Sequence, residues 1–331
     1  MIPKLKEPVD LTSRLKEGVA LVGDTLFICH ASYECRAYGV TDNTLDGFSI
    51  SQSVVFGTTK SVGCNDQYRK CFHDLIGRLT HVSVCSPHPI LVERHELVLM
   101  VRLLDAALGD IIRGEINNVV IDASVFPKDR LWVVVDYIQR VSRSTKVFIL
   151  YMEPVSYSTE NGNPGWLSKG VKRLMPIPGF NGRQSAEKKT LLVVIVGHEE
   201  ERVQITVRNI EPNKVLLIGQ SADIYDEGAP RLSNFIVKRL GHDYSHIIDF
   251  NERFIAGSRD YLAVRDSISL IYEKYSGQYN IVVAVNSTKL QSLGALIVCR
   301  ERRAITAVYA EPQVYNTHRT EGFGKIWGVG L

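Results

Sequence analysis

The sequence predicts an α/β protein of two tandem Rossmann-like units with mainly parallel sheets, related by internal duplication. Three observations carry this expectation. Short apolar and β-branched runs alternate with longer amphipathic stretches along most of the chain, as in buried parallel strands joined by crossover helices. The chain has 331 residues, more than one core usually holds, so two domains of about 150 residues each are expected. Short motifs also recur in the same order in both halves, the signature of a repeat.

In the first half, strands are predicted over Thr25–Cys29, Ser53–Phe56, His81–Cys85, Val119–Asp122 and Lys146–Tyr151. Amphipathic periodicity predicts helices over Asn65–Leu79, His95–Arg113 and Lys128–Val141. In the second half, strands are predicted over Leu191–Val196, Lys214–Ile218, His246–Asp249, Ile281–Val285 and Ile305–Tyr309. The helices there fall over Glu200–Asn209, Arg231–Leu240, Ser258–Tyr275 and Lys289–Cys299. The intervening Ser158–Lys189 is rich in Gly, Pro and Asn, which is connector composition, with one short helix expected around Leu167–Arg173. The expected division is 1–157 for the first unit, 158–187 for the linker and 188–331 for the second unit.

The repeat extends to individual residues. Tyr151-Met152-Glu153-Pro154-Val155-Ser156-Tyr157 and Tyr309-Ala310-Glu311-Pro312-Gln313-Val314-Tyr315 share Y-x-E-P-x-x-Y at the fifth strand of each half. After the first strands, Glu34/Arg36 and Glu200/Arg202 share E-x-R. Both fourth strands begin from asparagine, Asn118 and Asn280. Each proline is expected to stop its strand, with the tyrosine packed at an edge-strand terminus.

Composition narrows the function classes. Hydrophobic residues at 45% and charged residues at 23% are those of a folded globular protein. A net charge of +3 is too small to indicate direct DNA or RNA binding. Apolar runs such as Leu191–Val196 are strand-length, far short of the roughly 18 residues of a membrane helix, and the N-terminus lacks a signal-peptide core. The six cysteines form no C-x-x-C pair, so free thiols and a cytoplasmic location are expected. Cys64, Cys71 and His73 lack a fourth candidate ligand, so no metal site is expected. There is no Walker A loop and no G-x-G-x-x-G after a first strand, so no cofactor is expected. No Ser-His-Asp or Cys-His spacing marks a nucleophile with its base.

In open parallel sheets ligands bind beyond the carboxyl ends of the strands, and two like units would appose two such edges in one cleft. The strongest candidate loop is Asn286-Ser287-Thr288-Lys289-Leu290-Gln291, which follows an apolar strand and opens a helix. Hydroxyls, an amide, an ammonium and free backbone N–H groups there suit an anion; Ser287 or Thr288 as a plain N-cap is the alternative. The first-half equivalent runs from Asp122 through Ser124 to Lys128. A second candidate set is Ser32, Tyr33, Glu34 and Arg36 with His198, Glu200 and Arg202, where Tyr33 would stack on a base. An internal ion pair is the alternative for the E-x-R residues.

A strand running into Asn-Ser-Thr-Lys-x-Gln-x-x-Gly resembles the N-x-T-G-G-T-K type of signature at the fourth strand of CARF domains, the CRISPR-associated Rossmann folds. The glycines before Thr-Lys are absent here. Paired units in one chain resemble the SAVED domains of bacterial anti-phage signalling. The resemblance implies a sensor of a nucleotide or oligonucleotide second messenger, with Asn286, Ser287, Thr288, Lys289 and Gln291 on phosphate or ribose and output to a protein effector. The alternatives are an enzyme, a nucleotide hydrolase or phosphodiesterase of ring-nuclease type with Glu34 or Glu200 as general base, and a non-enzymatic scaffold.

Overall fold

The computed structural model describes residues 7–12, 21, 23–43, 49–114, 116–157, 159–160, 163–164, 166–221, 228–249 and 252–331. Residues 1–6, on which the expected absence of a signal peptide rests, lie outside this set. The chain divides into two compact units, Met1–Pro164 with Thr317–Leu331, and Gly165–Asn316.

Unit 1 begins with β1 (Val9–Asp10), β2 (Thr25–His30), α1 (Gly39–Asn43), β3 (Ile50–Gly57), α2 (Thr59–Cys64) and α3 (Asp66–Val82). It continues through β4 (His88–Leu91), α4 (Leu97–Gly114), β5 (Asn118–Asp122), α5 (Lys128–Val141) and β6 (Lys146–Met152). Three two-residue strands follow, β7 (Ser156–Tyr157), β8 (Thr159–Glu160) and β9 (Asn163–Pro164). Unit 2 comprises β10 (Ser168–Asn181), β11 (Lys189–Ile195), α6 (Glu200–Ile210), β12 (Lys214–Gln220), α7 (Gly228–Asp243), β13 (Phe254–Ala256), α8 (Tyr261–Tyr275), β14 (Tyr279–Val285), α9 (Lys289–Glu301) and β15 (Thr306–Tyr315). The chain then returns to unit 1 as β16 (Thr320–Glu321) and β17 (Ile326–Gly330).

The sheet of unit 1 has the order β1-β17-β6-β5-β2-β3-β4, and that of unit 2 has β10-β15-β14-β11-β12-β13. Within each, the five parallel strands run in the same spatial order, with the first beside the fourth. This is the expected fold class. The central strands are buried throughout and mainly apolar, as Thr25–His30 and Val119–Asp122 are in unit 1 and Leu191–Ile195 in unit 2, because helices cover both faces.

Each sheet gains one antiparallel strand beside its fifth parallel strand: β17 pairs with β6 and β10 pairs with β15. In the chain β10 follows β6 and β17 follows β15, so each fifth strand is bordered by the segment that follows the other one. Two expectations are corrected here. The stretch read as a linker carries a 14-residue strand in place of a short helix, since its prolines and glycines sit on a sheet edge where missing N–H donors and bulges are tolerated. Residues 317–331 belong to unit 1, not to the second unit.

Both third strands are displaced from their predicted positions. Around His81–Cys85 and His246–Asp249 the chain makes only isolated parallel bridges, Ile50 with Ser83 and Val215 with Ile248. The strands follow at His88–Leu91 and Phe254–Ala256. Each is an edge strand with few ladder bonds, and an edge accepts Pro89 that a sequence pattern reads as a breaker. Pro312 does not stop its strand either. It faces Val171 next to a register shift in β10, and β15 continues to Tyr315.

Candidate functional site

In unit 1 the two repeated motifs meet in one internal cluster. Arg36 sits in the short 3₁₀ segment Cys35–Tyr38, buried. Its Nη1 donates to the carbonyl of Met152 (3.0 Å), the second residue of Y-x-E-P, and its Nη2 to Glu34 (2.6 Å). Glu34, also buried, accepts from Thr320 Oγ1 (2.9 Å) and from Arg319 through both Nε (3.1 Å) and Nη2. Burial opposes the charge on Arg36, but the Glu34 carboxylate, with Tyr151 and Tyr157 beside it, outweighs it and holds the guanidinium pKa above its ordinary value. Ser32 Oγ accepts the Glu34 N–H (3.2 Å), and Tyr33 packs against the core. Glu34 and Arg36 thus form the internal ion pair that is the alternative to a ligand contact.

Unit 2 repeats the clasp with a different glutamate. Arg202 Nη2 donates to the carbonyl of Ala310 (2.6 Å), the residue that matches Met152, and its Nη1 to Glu199 (2.6 Å). Its guanidinium lies over the Tyr309 ring at 5.5 Å. Glu200, the residue that E-x-R matching selects, instead pairs with Arg239 (3.2 Å) and accepts from Gln204 (2.9 Å). Arg202 lies in a true α-helix and Arg36 in a 3₁₀ turn, so the partner shifts by one residue. Glu199 also accepts from Ser168 Oγ, and Glu201 from the Gly170 N–H (2.9 Å), which anchors β10. His198 is half-buried on the same turn.

The loop at the carboxyl end of β14 divides into structural and unassigned groups. Thr288 caps α9: its Oγ1 accepts the Gln291 N–H (3.1 Å), while Gln291 Oε1 accepts the Thr288 N–H (3.4 Å). That is a capping box. Thr288 Oγ1 donates to the Ser258 carbonyl (2.5 Å), and Gln291 Nε2 to the carbonyls of Ala256 (3.3 Å) and Gly257 (3.0 Å) beside β13. Thr288 and Gln291 are therefore committed to the fold. Lys289 is half-buried at the first helical position.

Asn286 and Ser287 differ. Both are 5% exposed, and Asn286 Nδ2 and Oδ1 and Ser287 Oγ have no hydrogen-bond partner among the described residues. A buried polar group left unpaired costs about 1–3 kcal/mol, which sets these groups apart from the rest of the loop. They lie where β14 passes β11, the point at which strand order reverses and open α/β sheets bind ligands. Gly197, two residues past the end of β11, makes the approach possible, since a Cβ there would fall 2.3 Å from the Asn286 carbonyl oxygen.

The matching edge of unit 1 is closed. Ser124 is fully buried; its Oγ donates to Asp122 and accepts the Met152 N–H (2.9 Å). Arg130, the third residue of α5, is also fully buried. Its guanidinium meets His30 Nε2 (3.1 Å) and donates to the carbonyls of Gly57 (3.1 Å), Val92 (3.2 Å) and Glu93 (2.9 Å). It thus ties the ends of β2, β3 and β4. Gln291 holds the same helical position in α9 and reaches only the end of β13. No motif marks Arg130, Glu199 or Arg319. An arginine inside the apolar-faced helix Lys128–Val141 was the one available signal.

No protein-family model matches the chain, and no curated protein matches it. Among solved structures, its fold is similar to that of a type III CRISPR defence DNA nuclease activated by cyclic oligoadenylate. The TM-score is 0.53 at 11% identity, over 86% of this chain and 65% of that one. The chain thus spans slightly under two thirds of that nuclease, and the likeness is one of fold. Among the described residues, no helix is long and apolar enough to cross a membrane.

Proposed function

We propose that the chain is a cytoplasmic sensor that binds a nucleotide or oligonucleotide second messenger in anti-phage defence and passes the signal to a partner effector. The observation that carries this is the pair Asn286 and Ser287, whose buried side-chain polar atoms have no partner among the described residues at the switch point of unit 2. The N-terminus of α9 beside them favours an anion, and Lys289 at its first position adds a positive charge. The CARF-like loop sequence and the fold likeness to a nuclease activated by cyclic oligoadenylate support the same ligand class.

Sensing is favoured over cleavage because both candidate bases are held in ion pairs, Glu34 through both oxygens with two arginines and Thr320, and Glu200 through Oε1 with Arg239 and Gln204. Internal duplication is part of the proposal. Equal strand order and an arginine on the same carbonyl of Y-x-E-P in both units support it.

The test is calorimetric titration with cyclic oligoadenylate, followed by mass spectrometry of the recovered ligand. Asn286→Ala and Lys289→Ala should each weaken binding by about 1.5–3 kcal/mol, and the wild type should return the ligand intact. Ligand cleaved by wild type but not by Glu34→Gln or Glu200→Gln would establish the enzyme instead.

A further inference from the structure

Gln220 belongs to no motif, yet it is the last residue of β12, on the other side of β11 from Asn286. It is 1% exposed, and both Nε2 and Oε1 lack a partner among the described residues. Its backbone N–H donates to Ser233 Oγ (3.3 Å). Gln220, Asn286 and Ser287 therefore place five unpaired polar atoms on the carboxyl edge of one sheet. Gly197, two residues past the end of the strand between them, lets the Asn286 backbone approach closely.

Unit 1 shows what a closed version looks like. The strand matching β12 is β3, which ends in Gly57, and Arg130 donates to its carbonyl as well as to the ends of the two neighbouring strands. In unit 2 the same helical position is Gln291, whose amide is used up at the end of β13. The carboxamide of Gln220 is left over.

The chemistry of the unpaired atoms selects the ligand group. Gln220 Oε1 and Asn286 Oδ1 are acceptors only. An ionised phosphate offers acceptors alone, so it cannot satisfy them. The bound group must present an N–H or O–H donor, and the Gln220 Nε2 requires an acceptor beside it. The edge of an adenine ring, an amino group next to a ring nitrogen, has this pattern and is a common partner of a glutamine side chain.

Resting on the proposal that unit 2 binds a nucleotide, we propose that Gln220 is a specificity-determining contact that reads the amino edge of a purine base. The experiment compares wild type with Gln220→Leu, measuring melting without ligand and calorimetric affinity for two probes. The probes are cyclic oligoadenylate and its analogue with each 6-amino group replaced by hydrogen. Wild type should prefer the adenine probe at least tenfold. Gln220→Leu should melt at the same or a higher temperature, because two unpaired buried groups are gone, bind the adenine probe at least tenfold more weakly and lose the preference.

Binding of the adenine probe by wild type without preference over the analogue overturns the role of Gln220, whether or not the variant folds. So does a variant that keeps wild-type affinity and preference while Asn286→Ala loses binding, and that result leaves the sensor standing. Wild type that binds neither probe overturns both proposals. A Gln220→Leu variant that melts lower yet keeps the preference makes the residue structural.

Discussion

Replacing Arg130 by methionine tests whether one guanidinium holds the carboxyl edge of unit 1 together. Methionine keeps an unbranched side chain of similar reach and removes every donor. His30 Nε2 and the carbonyls of Gly57, Val92 and Glu93 would lose their contact with it. At about 1–3 kcal/mol for each buried group left unpaired, four acceptors would cost about 4–12 kcal/mol if nothing relaxed. Removing a fully buried cation returns part of that, since its own desolvation costs several kcal/mol. The net expectation is a loss of about 3–5 kcal/mol, the range for breaking a buried charged network. One kcal/mol moves the midpoint of a unit of 150–250 residues by about 2–4 °C, so the transition of unit 1 should fall by about 6–20 °C. Differential scanning calorimetry of the full chain reads this, with limited proteolysis assigning the early transition to unit 1. A shift below about 3 °C would refute the argument and make Arg130 a passive filler.

Two further outcomes follow from the geometry. Glu199→Gln should destabilise unit 2 by about 2–4 kcal/mol because it leaves buried Arg202 without its carboxylate. Glu200→Gln, whose partner Arg239 is largely exposed, should cost under about 1 kcal/mol; urea unfolding of the two variants compares them, and the reverse order would restore the E-x-R pairing. The third concerns pH. Burial raises the Glu252 pKa, but hydrogen bonds from Lys274 and Tyr275 outweigh it and leave it below the ordinary glutamate value. A depressed folded pKa contributes stability above the unfolded value, lost as pH falls through the folded one. Wild type should therefore melt above Glu252→Gln at pH 7, with the gap closing as pH drops below about 4.5; a gap independent of pH would show that the carboxylate charge is not used.

Much of the fold was legible because its signals are local. Apolar runs such as Leu191–Ile195 and amphipathic spacing such as Lys128–Val141 depend on neighbours along the chain, and the structure places a strand and a helix there. The recurring Y-x-E-P and E-x-R motifs marked residues that do converge, since Arg36 and Arg202 bind the same carbonyl position. What sequence could not decide was pairing across the fold. Whether 168–181 joins a sheet, and whether 326–330 completes unit 1, depends on which strand edge is open. Whether Arg202 takes Glu199 or Glu200 depends on the angle at which a helix begins. The candidate site divides in the same way. Asn286 and Ser287 could be named from a strand-to-helix loop, but only burial and hydrogen bonding separate them from Thr288 and Gln291, which the capping box consumes. Gln220 carries no sequence signal, because a glutamine ending a strand is unremarkable until every neighbour has chosen another partner.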